Sequence, residues 1–144
     1  FSKNDRNKNT KSSGLVLSGA NNYNLDNLTY YGDGYLNYEE VLNLNLSGTE
    51  LVVLSACETG LGEISTNSQG VSGLQNSFIL AGANYLIMSL WQVEDQATSD
   101  LMTAFYTEYQ NTNDIPNSFK IAQNKIKSIY KHPYYWAAFI LLED

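Results

Sequence analysis

The segment at residues 50–60, ELVVLSACETG, constrains the fold of this chain more than any other. Residues 51–54 are continuously apolar and half β-branched, which is typical of a central strand in a parallel sheet covered on both faces. The only cysteine, Cys57, follows three positions later. Because reacting groups in open α/β sheets gather at the carboxyl ends of strands, this thiol is a candidate nucleophile. The alternative interpretation is that a lone cysteine is a small, buried apolar residue.

The composition limits the classes of protein to which the chain can belong. Its 144 residues, 43% of them hydrophobic, suit one domain with a sizeable core. Fifteen acidic against eight basic residues give a net charge of −7, which argues against nucleic acid as a partner. No apolar run reaches the roughly 18 residues that a membrane span needs, and from the polar first residues we expect no signal peptide.

The lone cysteine also bears on the compartment, because one thiol permits no internal disulfide and favours a reducing environment. We therefore expect a cytoplasmic protein. Gly34 and Glu40 have the spacing of a calcium loop, but Thr29 and Tyr31 stand where ligand carboxylates are needed. The sequence predicts neither a metal nor a cofactor.

Strand and helix patterns alternate along the chain. Residues 1–13 are polar and predict a flexible linker or loop. Strands are predicted at residues 14–19, 51–54, 85–90 and 136–142. Helices are predicted after a capping box of Asn37 and Glu40, from Val71 to a stop at Gly82, and after an N-cap at Asp95.

The apolar positions of the last two predicted helices recur at helical spacing. The first stripe contains Ala97, Leu101, Phe105 and Tyr109, and the second, which follows a loop with Pro116, contains Ile115, Phe119, Ala122, Ile126 and Ile129. Such alternation predicts an α/β fold with a mostly parallel sheet and helices on both faces. The strands at 51–54 and 85–90, joined by one helix, are expected to be parallel neighbours.

Three segments resemble the C-terminal part of a CHAT domain. They read LSACETGLG, GVSGLQNSFILAGANYLIMSLWQVEDQAT and YKHPYYWAAFIL, in the order in which the family has them. The resemblance covers roughly residues 14–142 and implies that residues 14–144 form the C-terminal portion of a caspase-like αβα sandwich, with the N-terminal part missing. CHAT domains are cysteine peptidase domains similar to separase. They are often fused to tetratricopeptide repeats, which are therefore implied in the same full-length chain.

The resemblance implies that Cys57 is the nucleophile of a Cys–His dyad that cleaves a protein substrate. In the family the histidine lies upstream, in a short motif ending His-Gly, and this sequence lacks that motif. The only histidine, His132, matches a different position, and we interpret it as structural and hydrogen-bonded near the closing strand. The start at Phe1 instead of Met suggests further chain upstream. The 144 residues alone are thus expected to be inactive, and the alternative is a non-catalytic signalling or scaffold domain.

The resemblance also suggests a specificity pocket. Separase and related peptidases cut after basic residues, using a carboxylate that follows a Leu-Trp strand end. Here SLWQVED offers Glu94 and Asp95 at that place, and a carboxylate can pair with the planar fork of Arg. Asp95 could instead be a helix cap, and Trp91 could wall the pocket or pack in the core. Glu58 is a further candidate acid, or simply a loop carboxylate.

Overall fold

The computed structural model describes residues 14–18, 34–55 and 71–144. The predictions for residues 1–13 and for Cys57 and Glu58 therefore lie outside the described residues. In chain order the described elements are β1 (Gly14–Val16), β2 (Tyr35–Asn37), α1 (Tyr38–Leu42), β3 (Leu51–Leu54), α2 (Val71–Leu80), β4 (Tyr85–Ser89), α3 (Asp95–Thr112), α4 (Ile115–Ile129), α5 (Pro133–Trp136) and β5 (Phe139–Glu143).

The central sheet, as far as it is described, has the strand order β3-β4-β5. Strands β3 and β4 are parallel, with Leu51 opposite Tyr85 and Leu54 opposite Met88. The predicted parallel pair is thus confirmed. Because the two strands run side by side in the same direction, their carboxyl ends lie at the same edge of the sheet.

Strand β5 runs antiparallel to β4, with Ser89 opposite Phe139, so the sheet is mixed. The expectation of a mostly parallel sheet is therefore wrong for this pairing. One helix joins β3 to β4, but two helices, α3 and α4, lie between β4 and β5. Since α3 and α4 form a tight helical hairpin, the chain re-enters the sheet at the edge from which it left, and β5 must run in the opposite direction.

Two apolar clusters cover the two faces of the sheet, because successive side chains of a strand point to opposite faces. Ile87 of β4 packs in a cluster with α3 and α4 that includes Leu101 and Phe105. Leu86 and Met88 pack in the other cluster, with residues of α1 and α2. All three β4 side chains are fully buried. The predicted α/β class, with helices on both faces, is confirmed.

Local signals set several helix ends as predicted. The Asn37 side chain accepts a hydrogen bond from the Glu40 N–H (3.1 Å), and the Glu40 carboxylate accepts one from the Asn37 N–H (2.9 Å). This reciprocal pair is the predicted capping box at α1. Helix α2 ends before Gly82, whose φ of 109° is in the left-handed region.

The hairpin of α3 and α4 differs from the prediction in detail. Pro116 lies in the first turn of α4 instead of a preceding loop, and Asp114 is the N-cap of that helix. Proline is favoured in this position because its missing N–H has no partner in the first turn. Ile129, predicted to lie on the buried face, is 58% exposed because α4 ends there. Tyr109 is half-buried at the edge of the α3 stripe.

Strands β1 and β2 form a separate antiparallel ribbon. The sequence predicted β1 but not β2. Leu15 and Leu36, which lie opposite each other, pack against the cluster of α1 and α2. In the described ranges no helix is both long and apolar enough to cross a membrane.

Candidate substrate-binding cleft

An open cleft lies at the carboxyl end of β4. It has a volume of about 360 Å³ and is lined by Gln92, Val93, Glu94, Asp95, Tyr134 and Tyr135. One side comes from the segment that joins β4 to α3, and the other comes from the short helix α5. The cleft therefore lies at the edge of the sheet where ligands of α/β proteins gather.

Three hydrogen bonds hold the two sides of the cleft together. The Trp91 indole N–H donates to the Tyr134 carbonyl (3.0 Å), and the Tyr134 hydroxyl donates to the Gln92 carbonyl (2.5 Å). The Leu90 N–H donates to the Ala138 carbonyl (2.7 Å), which continues the pairing of β4 with β5. These bonds join residues more than 40 positions apart, so the cleft depends on the tertiary fold.

Trp91 lies behind the cleft and is not part of its lining. Its ring is half-buried and packs against the cluster of α3 and α4, while its N–H bonds to α5. Trp91 thus packs in the core, as one of its two interpretations held. It also positions the Tyr134 backbone and so supports one side of the cleft.

Glu94 and Asp95 are both exposed and both line the cleft. The interpretation of Asp95 as an N-cap is wrong, since α3 begins at Asp95 and the N-cap residue, Glu94, makes no side-chain cap hydrogen bond. The first-turn position still suits Asp95, because the positive end of the helix dipole stabilises a carboxylate there. Neither carboxylate is hydrogen-bonded or ion-paired within the described ranges, so both can receive a cationic group.

The aromatic wall of the cleft rests on a third tyrosine. Tyr134 and Tyr135 meet edge to face, with ring centroids 5.3 Å apart, and Tyr135 lies 5.2 Å from the ring of Tyr130 at the end of α4. Sequence reasoning missed this wall, although both of its tyrosines stand in the third segment that carries the family resemblance. The tyrosine pair beside a helix-starting proline was the available signal.

Tyr130 in turn is tied to α3. Its hydroxyl donates to the Asp100 carboxylate (2.8 Å), whose other oxygen accepts from the Gln96 amide (2.9 Å). The hydrogen bond to Asp100 raises the pKa of Tyr130, and burial and the nearby negative charges act in the same direction. This network fixes the end of α4, and with it the tyrosine wall, against the start of α3.

His132 is exposed and is the N-cap residue of α5. Its Nδ1 accepts a hydrogen bond from the Tyr134 N–H (3.2 Å). The prediction that His132 is hydrogen-bonded near the closing strand is confirmed. In the described part of the chain, no three His, Cys, Asp or Glu side chains cluster closely enough to hold a metal ion.

The fold and cleft define an α/β domain in which a mixed sheet, covered on both faces, carries an acidic and aromatic cleft at its strand ends. The CHAT domain family model matches residues 2–144. The chain belongs to the CHAT domain family.

Two curated relatives have names that point to a repeat protein. The chain is 31% identical over 105 residues to Tetratricopeptide repeat protein 28 from Mus musculus, and 30% identical over 107 residues to the protein of that name from Homo sapiens. Each match covers 72% of this chain and 4% of the relative. The chain thus spans only a small part of the relatives it matches.

Proposed function

We propose that this chain is part of a caspase-like cysteine endopeptidase domain that uses Cys57 as its nucleophile and cleaves protein substrates after Arg or Lys. The observation that carries the proposal is the cleft in which Glu94 and Asp95 lie opposite the pair of Tyr134 and Tyr135. The family supplies the caspase-like chemistry, and the cleft supplies the preference for a basic side chain.

The cleft suits a cationic side chain on three grounds. Its carboxylates can accept paired hydrogen bonds from a guanidinium group or contact an ammonium group. Its tyrosine rings can contact the cation through their π faces. Residues 14–119 contain no Lys or Arg at all, so no basic side chain of that long stretch competes for Glu94 and Asp95.

The sheet supports a nucleophile close to this cleft. Cys57 follows the last residue of β3 by three positions, and three residues span at most about 11 Å. Because Leu54 lies opposite Met88 near the carboxyl end of β4, we propose that the thiol acts at the same edge of the sheet as the cleft. The sulfur attacks the scissile carbonyl as a thiolate, and a histidine is needed to take its proton and to protonate the leaving amine.

His132 is a poor candidate for this base, because its Nδ1 accepts the cap hydrogen bond of α5. We therefore propose that the dyad histidine comes from outside these 144 residues. We also propose that the full-length protein carries tetratricopeptide repeats, in line with the names of the two relatives.

The proposal is tested with the full-length protein and fluorogenic peptides that differ only in an Arg, Lys or Gln before the scissile bond. We expect the wild-type protein to cleave the Arg and Lys peptides. The Cys57→Ala variant should cleave none of the peptides, and the Asp95→Ala variant should cleave the Arg and Lys peptides more slowly. A hydrogen bond to a charged group contributes about 1.5–3 kcal/mol. Asp95→Ala should therefore lower kcat/KM for the Arg peptide by about 10-fold to 150-fold.

Asp114→Ala is the matched control, because Asp114 is a true side-chain cap, 3.0 Å from the Asn117 N–H, in the loop between α3 and α4. It should cost about 0.5–2 kcal/mol of stability and leave cleavage unchanged. Asp95→Ala should show the reverse pattern. Parallel losses of stability and activity in both variants, or equal cleavage of the Arg and Gln peptides, would contradict the basic-pocket proposal.

A non-catalytic scaffold is the second candidate function. The observation that favours it is the engagement of the one histidine of the sequence in capping α5. If the full-length protein shows no cleavage that depends on Cys57 against any of the peptides, the scaffold function replaces the peptidase.

A further inference from the structure

The basic residues of this acidic chain are confined to two short stretches. Residues 14–119 contain twelve Asp and Glu and no Lys or Arg. Four of the eight basic residues lie within residues 1–13, and the other four are Lys120, Lys125, Lys127 and Lys131 on or just after α4. Helix α4 itself contains no acidic residue. The charge of the described chain is therefore segregated, with all its lysines on α4 or within two residues of its end.

Three of these lysines lie on the outer surface of α4, and Lys131 follows shortly after the end of the helix. Phe119, Ala122 and Ile126 are buried against the core, and all four lysines are exposed. Lys120 and Lys127 are seven residues apart and therefore lie on the same side of the helix. Lys125 is four residues from both Ile121 and Ile129, so it lies between them on the helix surface. We call the set Lys120, Ile121, Lys125, Lys127, Ile129 and Lys131 the lysine face.

The ammonium groups of the lysine face are not neutralised by the described chain. The side-chain ammonium groups of Lys120 and Lys125 form no hydrogen bond or ion pair within the described ranges. Lys127 lies over the Trp136 ring, 4.7 Å from its centroid, and Lys131 donates to the backbone carbonyl of Ser128 (2.7 Å). No described carboxylate lies within ion-pair distance of these lysines, although the chain has nearly twice as many acidic as basic residues.

The isoleucines add an apolar component to the same surface. Ile129 is 58% exposed and Ile121 is 36% exposed. Together with the lysines they form a surface in which apolar groups stand among positive ones. From Lys120 to the end of α4 at Ile129 the helical rise amounts to about 14 Å, the length of about four residues of extended peptide.

We propose that the lysine face docks an acidic, partly apolar segment of a partner protein. Clustered Asp and Glu would meet the lysines, and apolar side chains between them would cover Ile121 and Ile129. A long nucleic acid fits less well, because beyond this short row it would meet a surface of like charge. A membrane also fits less well, because the face offers two isoleucines and no exposed aromatic ring for insertion. Residues 1–13 are not the proposed occupant, because their basic side chains would be repelled by the lysine face.

The test uses the full-length protein and a fluorescein-labelled peptide built of Glu-Glu-Leu repeats, with binding followed by fluorescence anisotropy. The comparison probes are the same peptide with Gln in place of Glu, an oligouridine, and vesicles of equal parts phosphatidylcholine and phosphatidylserine. We expect salt-sensitive binding of the acidic peptide and weaker binding of the other three probes. Because a surface ion pair is weak, the double variant Lys120→Gln/Lys125→Gln should raise Kd by about threefold to tenfold.

The matched control is Asn76→Glu/Gln110→Glu, which changes the net charge by the same amount at exposed positions of α2 and α3. Its Kd should stay within twofold of the wild-type value. The proposal is overturned if the acidic peptide does not bind, if the lysine variant and the control weaken it equally, or if the lysines support binding of the oligouridine or vesicles but not of the peptide. None of these outcomes depends on peptidase activity.

Discussion

Gly82 and Gly48 have positive φ values of 109° and 86°, but their surroundings differ. A Cβ on Gly82 would lie 2.9 Å from the Ser47 backbone nitrogen, whereas a Cβ on Gly48 would have no neighbour within 4 Å. Next to Gly82, the Leu46 N–H donates to the Ala81 carbonyl (2.9 Å). Gly82 therefore fixes how the turn after α2 packs against the segment before β3.

We predict that Gly82→Ala destabilises the domain more than Gly48→Ala. Both changes place alanine in a left-handed conformation, which costs about 1 kcal/mol, but only Gly82→Ala also forces backbone to move apart. Urea unfolding measures the difference in stability. If the two variants have the same m value, the difference between their unfolding midpoints reports the difference in free energy of unfolding. Equal midpoints would mean that the close approach at Ser47 relaxes without cost.

Tyr130 connects the three helices α3, α4 and α5. It ends α4, bonds to Asp100 of α3 and packs against Tyr135 of α5. Tyr109 plays a similar part at the other end of α3, where its hydroxyl donates to Glu50 just before β3 (2.8 Å). The hydrogen bond to Glu50 is the main cause of the raised pKa of Tyr109.

We predict that Tyr130 and Tyr109 ionise at higher pH than an ordinary tyrosine. Because their folded-state pKa values are raised, their contribution to stability is present below the unfolded value near 10 and is lost as pH rises through the folded values. An alkaline titration of tyrosinate absorbance should lose a late-titrating group in Tyr130→Phe, and Asp100→Asn should shift that group to lower pH. Tyr106, whose hydroxyl contacts no described carboxylate, is the control for substitution by Phe. Identical late titration in Tyr130→Phe and Tyr106→Phe would contradict the assignment.

For the molecule as a whole, catalysis depends on where the proposed dyad histidine lies. We predict that a folded preparation of this chain alone cleaves no peptide after Arg or Lys, because the proposed base is not among its residues. An unassisted cysteine has a pKa near 8.5, so only a few per cent is thiolate at neutral pH. Cys57 should therefore react with iodoacetamide at an ordinary thiol rate.

Circular dichroism confirms folding before this assay, and Cys57→Ala is the control. Adding a segment that carries the dyad histidine, fused or as a second chain, should produce cleavage and accelerate alkylation. Cleavage by the isolated chain that depends on Cys57 would refute the prediction, and His132 would then be the first residue to mutate.

The sequence by itself determined the elements that depend on nearby residues. The apolar runs at β3 and β4 with one helix between them predicted a parallel pair. A single crossover helix carries the chain back to the edge of the sheet at which β3 begins, so β4 runs in the same direction as β3. Asn37 and Glu40 predicted the start of α1, because a capping box needs only four consecutive residues. The position of Glu94 and Asp95 at the end of β4 also followed from the sequence.

Only the tertiary structure decided the features that join distant segments. The direction of β5 depends on how many helices separate it from β4, and the ribbon of β1 and β2 depends on pairing that no local pattern specifies. The tyrosine wall of the cleft comes from α5, about 40 residues after Glu94. Local preferences of a few tenths to about 1 kcal/mol per residue select helix and strand, but the pairing of distant segments is set by the packing of the whole chain.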